Sequence, residues 1–481
     1  MTEIYPVFPL PFVLPPGSPP LYKDGNGILS SHRFITLRAE YLAEGISKSP
    51  SGQFSSWYGS NHLVVLSGEV ARTSFLTARG LDPTAGFVAL LGGFLDISEV
   101  DKDNTRRAFQ IYKRCAQIDH MTSILPRLVS DSDSHMRALG LTANEKGRAA
   151  IISPQKFLGL LSYQLTHRAS GVHDIVNDPV LLRETWNVYT PLEDSPYIDI
   201  MLPWLPTPSK LRKVWGYAKL HLTVTKIARE RKAEGRTEED MLQMMIEADL
   251  GSKMQSVAVI GAVLAGVFNT TFSTVYNICC LANEPEWLAK VRTEIENVLE
   301  RRRKVAENAS EPLVDTLQRL SVRDWETCFP ILRAAITESI RFTMAGSVVR
   351  KNIGAKDLEI GVGGLVVPAG SLAIHATADT HMNQAIYPEP LKWDSSRFLG
   401  DKHQGDDVPH GYLGWESGNH PCPARRLNVI VASVLFVAHY DFHVCDRVGN
   451  RKAGPLPPII YNRQGAGQLK TNVYLKCQSR I

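Results

Sequence analysis

The chain has 481 residues, 44% hydrophobic and 21% charged, a composition that excludes disordered, collagen-like and coiled-coil proteins and leaves a globular chain able to bury a large core. Lys and Arg number 53 against 49 Asp and Glu, for a formal charge of +4, too little to imply nucleic acid as a partner. Seven cysteines are too few for a disulfide framework, and the odd number leaves at least one outside any pairing, so a reducing compartment is expected.

Residues 1–20 hold seven prolines and neither Lys nor Arg. They read as an extended lead-in, since proline at that density cannot sustain a helix and a signal peptide needs a basic start. Residues 31–47 have helical texture. The stretch 53–66, QFSSWYGSNHLVVL, is rich in β-branched and aromatic residues and predicts a hairpin, after which Gly68 opens another helix. Residues 105–141 read as helical, with Arg106, Arg107, Lys113 and Arg114 on a basic face. Over 209–235, Leu211, Val214, Leu220, Val224 and Ile227 recur at helical spacing. Thr237 with Asp240 predicts a capping box for the next helix. An apolar run from Val257 continues helically to about Leu281, and Pro285 suits the first turn of its successor. The uninterrupted apolar part, 257–268, is shorter than the ~18 residues of a membrane span and predicts a buried helix. A helix over 330–342 and a small hairpin over 356–368 complete the pattern. The expected fold class is mainly α with small β-sheets, one domain over 21–481 behind the lead-in.

Common enzyme signatures are absent: the sequence has no GxxxxGK[ST], HExxH or CxxC. Gly361, Gly363 and Gly364 miss GxGxxG because Val366 stands in the last place, so they predict a turn. Cys279 and Cys280 are adjacent and lack the second pair that a structural zinc needs. The informative stretch is 415–426, WESGNHPCPARR, one cysteine in a loop of Gly, Pro and small residues just before an apolar helix. Gly418 lets the backbone turn closely under a planar group, Pro421 and Pro423 stiffen the approach of the thiol, and the helix N-terminus would favour a thiolate.

This run resembles the haem-binding loop of the cytochrome P-450 family, Phe-x-x-Gly-x-Arg/His-x-Cys-x-Gly. Trp415 stands for the Phe, Gly418 for the Gly, His420 for the Arg/His and Cys422 for the ligand, while Ala424 replaces the last Gly. Three further matches follow the family's order. Glu338 and Arg341 form its Glu-x-x-Arg. The segment WDSSRF, 393–398, resembles its aromatic-x-Pro-x-Arg-Phe, with Ser395 in place of Pro and Arg397 as the Arg. Gly266 to Thr271 resembles the distal-helix Ala/Gly-Gly-x-Asp/Glu-Thr-Thr, with Asn269 in place of the acid. Residues 70–250 match only in texture, and the family's Trp-x-x-x-Arg is not visible.

The resemblance implies the P-450 fold and haem b with the Cys422 thiolate as proximal ligand. It implies that His420 bonds a haem propionate, with Arg350 as a second candidate and Arg106 or Arg107 as a third, and that Glu338, Arg341 and Arg397 form a buried structural ion-pair cluster. Thr270 is expected to bond the carbonyl of Gly266 and open a groove for dioxygen, with Asn269 orienting water. Ala262, Ala265, Gly266 and Asn269, together with Ser347, Val348 and Val349, are expected to form a small, largely apolar pocket wall for a lipophilic substrate. The wording around Cys422 is similar to filamentous-fungal members that tailor terpenoid, meroterpenoid or polyketide-derived metabolites. The implied activity is a monooxygenase fed with electrons from NADPH by a flavin-containing reductase, for which Arg425, Arg426, Lys113 and Arg114 offer positive charge. The competing classes are a haem-thiolate isomerase or dehydratase that needs no external electrons, and a non-catalytic haem sensor. A monomer at the cytosolic surface of the endoplasmic reticulum is expected; the chain begins where the anchor helix of eukaryotic members would end, so either an anchor helix has been removed ahead of it or its membrane contact is peripheral.

Overall fold

A computed structural model describes residues 14–22, 27–59, 61–90, 102–140, 149–193, 196, 198–199, 205–401, 403–422, 427–462 and 465–480. Its axis is a helix of 32 residues, Ser252–Asn283, called the central helix below. By length and hydropathy it could cross a membrane, yet it packs on the helices Pro154–Ser170, Pro208–Glu234, Pro330–Thr343 and Asn428–His439. A helix apolar on nearly every side is stable in water only when so enclosed.

The largest core cluster joins Met121, Ile124, Leu125 and Leu128 to Ile278, Leu281, Trp325, Leu332 and Leu435, all at most 5% exposed. Proline occupies the first turn of Pro154–Ser170, Pro208–Glu234, Pro285–Val305 and Pro330–Thr343, where its missing N–H has no partner to lose. Gly235 ends Pro208–Glu234 in the left-handed conformation, φ 65°.

Three local expectations change. The helix expected over 105–141 is two, Lys102–Cys115 and Ile118–Arg137, and 31–47 likewise divides into Gly27–Thr36 and Arg38–Lys48. The capping box of Thr237 and Asp240 does not form. Asp240 is itself the N-cap of Met241–Glu247, accepting the Gln243 N–H at 2.8 Å, and its carboxylate also pairs with the buried Arg231.

The strands are β1 (Phe54–Tyr58), β2 (Asn61–Leu66), β3 (Leu81–Asp82), β4 (Ala149–Ile152), β5 (Ser347–Asn352), β6 (Leu358–Glu359), β7 (Val366–Val367), β8 (Leu372–Ala376), β9 (Tyr440–Cys445), β10 (Ile459–Ile460), β11 (Gln468–Leu469) and β12 (Tyr474–Ser479). They form a five-stranded sheet β1-β2-β8-β5-β3, a three-stranded sheet β4-β12-β9, and the pairs β6-β7 and β10-β11. The hairpin expected over 53–66 is β1-β2. The glycines at 361, 363 and 364, all with φ between 55° and 72°, turn β6 into β7 as expected. The end of the Pro-rich lead-in is stitched to this side of the molecule: the Ser55 N–H donates to Pro20 O (2.8 Å) and the Val366 N–H to Gly17 O (3.0 Å). Residues 1–13 of the lead-in lie outside the described residues.

Candidate active site

Cys422 closes a turn that begins at Trp415, its N–H donating to the Trp415 carbonyl at 2.8 Å. Inside the turn Glu416 (φ 55°) and Gly418 (φ 72°) are left-handed. Gly418 is required for a second reason, since a Cβ there would stand 2.4 Å from the Leu76 carbonyl oxygen. A helix ends with unpaired carbonyls, and those of Glu69–Thr77 are where the loop is tied down. Asn419 donates through N–H to Leu76 O (3.0 Å) and through Nδ2 to Thr77 O (2.6 Å). Arg350 Nη1 donates to Phe75 O (2.8 Å) and Leu76 O (3.2 Å). The half-buried Cys422 thiol lies near Tyr112, whose hydroxyl is pushed up in pKa first by burial and then by the charges of Cys422 and Cys115. Pro423, Ala424, Arg425 and Arg426 lie outside the described residues, so the Ala424 replacement and the basic pair have no assigned place.

Basic side chains gather at the loop. His420 has its pKa lowered, first by burial and then by Arg350, with Lys113 also lowering it and Asp82 opposing them. Arg350 on β5 is fully buried and sits 4.7 Å over the Phe75 ring. Two of its three guanidinium nitrogens are committed within the protein, and only the third remains for the propionate role expected of it. Nη2 pairs with Glu416 and Nη1 serves the two helix carbonyls, which leaves Nε as the nitrogen with no hydrogen-bond partner among the described residues. Glu416 has its carboxyl raised by burial, against the lowering by Arg350. Arg106 and Arg107 have partners of their own: Arg106 is an exposed partner of Asp103 at 4.0 Å, and Arg107 donates to Asn104 and to Ala248 O. The cation on that helix that reaches His420 electrostatically is Lys113, whose Nζ is 4.8 Å from the centroid of Phe109. Phe109 and Lys113 are an aromatic and a base one turn apart on this helix.

Glu338 and Arg341 are 0% exposed and joined in two parallel hydrogen bonds, 2.7 and 2.9 Å. Arg397 Nε approaches Glu338 Oε1 at 3.4 Å, and the Asp394 N–H donates to the same oxygen at 3.0 Å. Arg341 also donates to His381 O (2.5 Å) and Pro390 O (2.9 Å), and Arg397 to Gln404 (2.7 Å) and Glu389 O (3.1 Å). Three charges thus clamp the chain from 381 to 404. His381 continues the brace, its Nε2 accepting the Leu413 N–H at 2.8 Å, just upstream of the cysteine loop.

Across from the loop, Ala262, Gly266 and Thr270 of the central helix line a cavity with Tyr112, Cys115, Thr166 and Asn428. Gly266 permits close helix contact, since a Cβ would meet Thr166 Cγ2 at 3.0 Å. Thr270 departs from expectation. It is the buried Thr271 that donates back to the carbonyl four residues earlier, Val267, at 2.7 Å, as a hydroxyl shut away from water must. Among the described residues Thr270 makes no bond to Gly266 O, and it faces the cavity. Ala265 and Asn269 lie on the next face, both exposed. Asn269 is held by backbone: Oδ1 accepts the Ala466 N–H (2.8 Å) and Nδ2 donates to Ala265 O (3.1 Å), which leaves its second N–H and second lone pair for the water it is expected to orient. The proposed wall of Ser347, Val348 and Val349 is divided by strand alternation. Val349 is 1% exposed in a cluster with Phe34, Tyr41 and Ile374, whereas Val348 packs on the other side with Val64, Phe75 and Leu76. A separate groove lined by Lys290, Glu294 and Asn297 is remote from these residues, and its Glu294 caps Pro330–Thr343 through the Ile331 and Leu332 N–H groups.

These residues suit the haem that the resemblance implies. A loop pressed to a helix end by a glycine presents the thiol, His420, Lys113 and the open Nε of Arg350 suit anionic carboxylates, and a small-residue face of the central helix stands opposite. Comparisons with known proteins agree. The chain is 28% identical over 451 residues to the cytochrome P450 monooxygenase AacuE of Aspergillus aculeatus, covering 90% of this chain and 87% of that one. It is 26% identical to cytochrome P450 monooxygenase MYCFIDRAFT_204672 of Pseudocercospora fijiensis, covering 94% of each. The fold is similar to that of retinoic acid bound cyanobacterial CYP120A1, with a TM-score of 0.73 at 17% identity over 96% of this chain and 99% of the other. The family model for cytochrome P450 matches residues 104–466, and the chain therefore belongs to the cytochrome P450 family, as a haem-dependent oxidoreductase of the monooxygenase kind.

Proposed function

We propose that the protein uses dioxygen and NADPH-derived electrons, delivered by a flavin-containing reductase, to hydroxylate or otherwise oxidise a C–H bond of a lipophilic small molecule, a terpenoid, meroterpenoid or polyketide-derived fungal metabolite. Cys422 is the iron ligand in this reading. The observation that supports it is the pairing of a braced thiol loop, flanked by His420 and Lys113, with the cavity that Thr270 faces on the opposite helix. Haem held there supplies the redox chemistry, with a thiolate ligand favouring O–O cleavage.

The chain's residues do the rest. His420, aided by Lys113, anchors the carboxylates of the group, and Trp415 covers the sulfur side. The Thr270 hydroxyl, not engaged by Gly266, would be available to hold and pass a proton at Oγ1 on the cavity side. Ala262 and Gly266 keep the wall small and apolar, which suits a substrate with few polar anchors. The protein works in this reading as a monomer at the cytosolic face of the endoplasmic reticulum. Turnover of candidate metabolites with and without NADPH and reductase tests it: oxygenated product that depends on both supports the monooxygenase, whereas rearranged product formed without either would establish an isomerase or dehydratase.

A further inference from the structure

Asn269 stands in place of the acid of the motif that 266–271 resembles, and its side chain bonds the backbone on both sides. Its Oδ1 accepts the Ala466 N–H at 2.8 Å, and Nδ2 donates to Ala265 O at 3.1 Å. Ala466 belongs to the turn 465–467 that leads into β11. Gly465 in that turn has φ 91°, and a Cβ on it would stand 2.5 Å from the Asn269 oxygen, so the turn can approach the helix only as glycine. The turn has a second tether away from the cavity: the Gly467 N–H donates to Thr343 O at 2.7 Å, and nearby the Tyr461 hydroxyl donates to Phe342 O at 2.8 Å. Asn269 alone of these anchors adjoins Thr270. An amide can accept and donate at once, while an ionised carboxylate only accepts and would face the Ala265 carbonyl with like charge. The geometry therefore accounts for an amide at this place without any transfer of protons through it.

We propose that Asn269 is a positioning residue that clamps the turn 465–467 onto the central helix, forming a roof beside Thr270 that sets which carbon of the substrate is presented for oxidation. The consequence for substrate rests on the proposed function, but the clamp itself does not. Residue-resolved hydrogen exchange on the haem-loaded protein tests the clamp. Asn269→Ala speeds exchange of the Ala466 amide about tenfold, the loss of a hydrogen bond of ordinary net strength, and Asn269→Asp, which keeps the acceptor for Ala466 but not the donor to Ala265, restores part of the protection. Gly465→Ala, which attacks the contact from the other side, speeds it likewise and carries the test should Asn269→Ala fail to load haem. Titration of the haem spectrum with 4-phenylimidazole tests the roof: both Ala variants shift Kd in the same direction, by about tenfold for Asn269→Ala, and Asn269→Asp returns it towards wild type. Ala466 exchange at the wild-type rate in Asn269→Ala and Gly465→Ala would overturn the clamp. Faster exchange with an unshifted Kd would overturn its role as a roof, whereas a protein that showed both effects and oxygenated nothing would refute the proposed function alone.

Discussion

The Leu76 carbonyl is where a helix end, a strand and the cysteine loop meet, since it accepts from Asn419 and from Arg350 and leaves no room for a side chain at residue 418. Small groups of this kind decide what the larger scaffold can hold. On the opposite side of the pocket the decisive small group is the Thr270 hydroxyl. Because it is not tied to Gly266 it can exchange hydrogen bonds within the cavity it lines, and Thr270→Ala removes that donor without changing the packed face at Thr271. Thr270→Ala should lower product per NADPH by roughly ten- to a hundredfold, in the range of a lost general acid, with peroxide in place of product. Measuring NADPH consumed, peroxide and product together checks this, and full coupling in the variant would show that another group carries the protons.

At the scale of elements, the Glu338 cluster joins the helix Pro330–Thr343 to the chain that runs back to the cysteine loop. Glu338→Ala leaves Arg341 buried and Arg397 nearly so, without their carboxylate, at a cost of about 3–5 kcal/mol. Denaturant unfolding and haem content should fall together, and a soluble, haem-loaded variant of wild-type stability would refute the structural role. Much at this scale was legible beforehand, because helix periodicity, proline at first turns and the Glu-x-x-Arg spacing are local properties of the chain. The parts that were not legible depend on distant backbone. Nothing near Asn269 announces that its partner is Ala466, or near Arg350 that Glu416 and two helix carbonyls would take its terminal nitrogens. Three consecutive pocket residues were expected at 347–349 because proximity in sequence was taken for a shared wall, and the alternation of β5 separates them. Asp240 was read as the third residue of a capping box when the buried Arg231 made it the cap.

At the scale of the whole molecule, several histidines are buried as neutral rings. Burial lowers His167 to about 3, His375 to about 4 and His381 to about 3, against about 6.5 in the unfolded chain. A folded pKa below the unfolded one means that the stability contribution is complete above pH ~6.5 and is lost as pH falls from there towards the folded values, at up to ~1.4 kcal/mol per pH unit for each ring. His381 matters beyond stability, because protonation of Nε2 would remove the acceptor for the Leu413 N–H and loosen the approach to the cysteine loop. Unfolding midpoints measured from pH 8 to pH 4 should fall steadily below pH ~6.5, with release of haem, and His381→Gln should weaken haem retention at neutral pH. A midpoint flat across that range would contradict the neutral burial of these rings. The central claim is that the loop holding Cys422 gives iron a thiolate, and the reduced, CO-bound absorption spectrum tests it most directly. Wild type should show the red-shifted Soret band of thiolate ligation, Cys422→His should move it to the imidazole position, and Ser at Cys279, Cys280 or Cys445 should leave it in place. A Cys422→Ser protein that kept the red-shifted band would contradict the account.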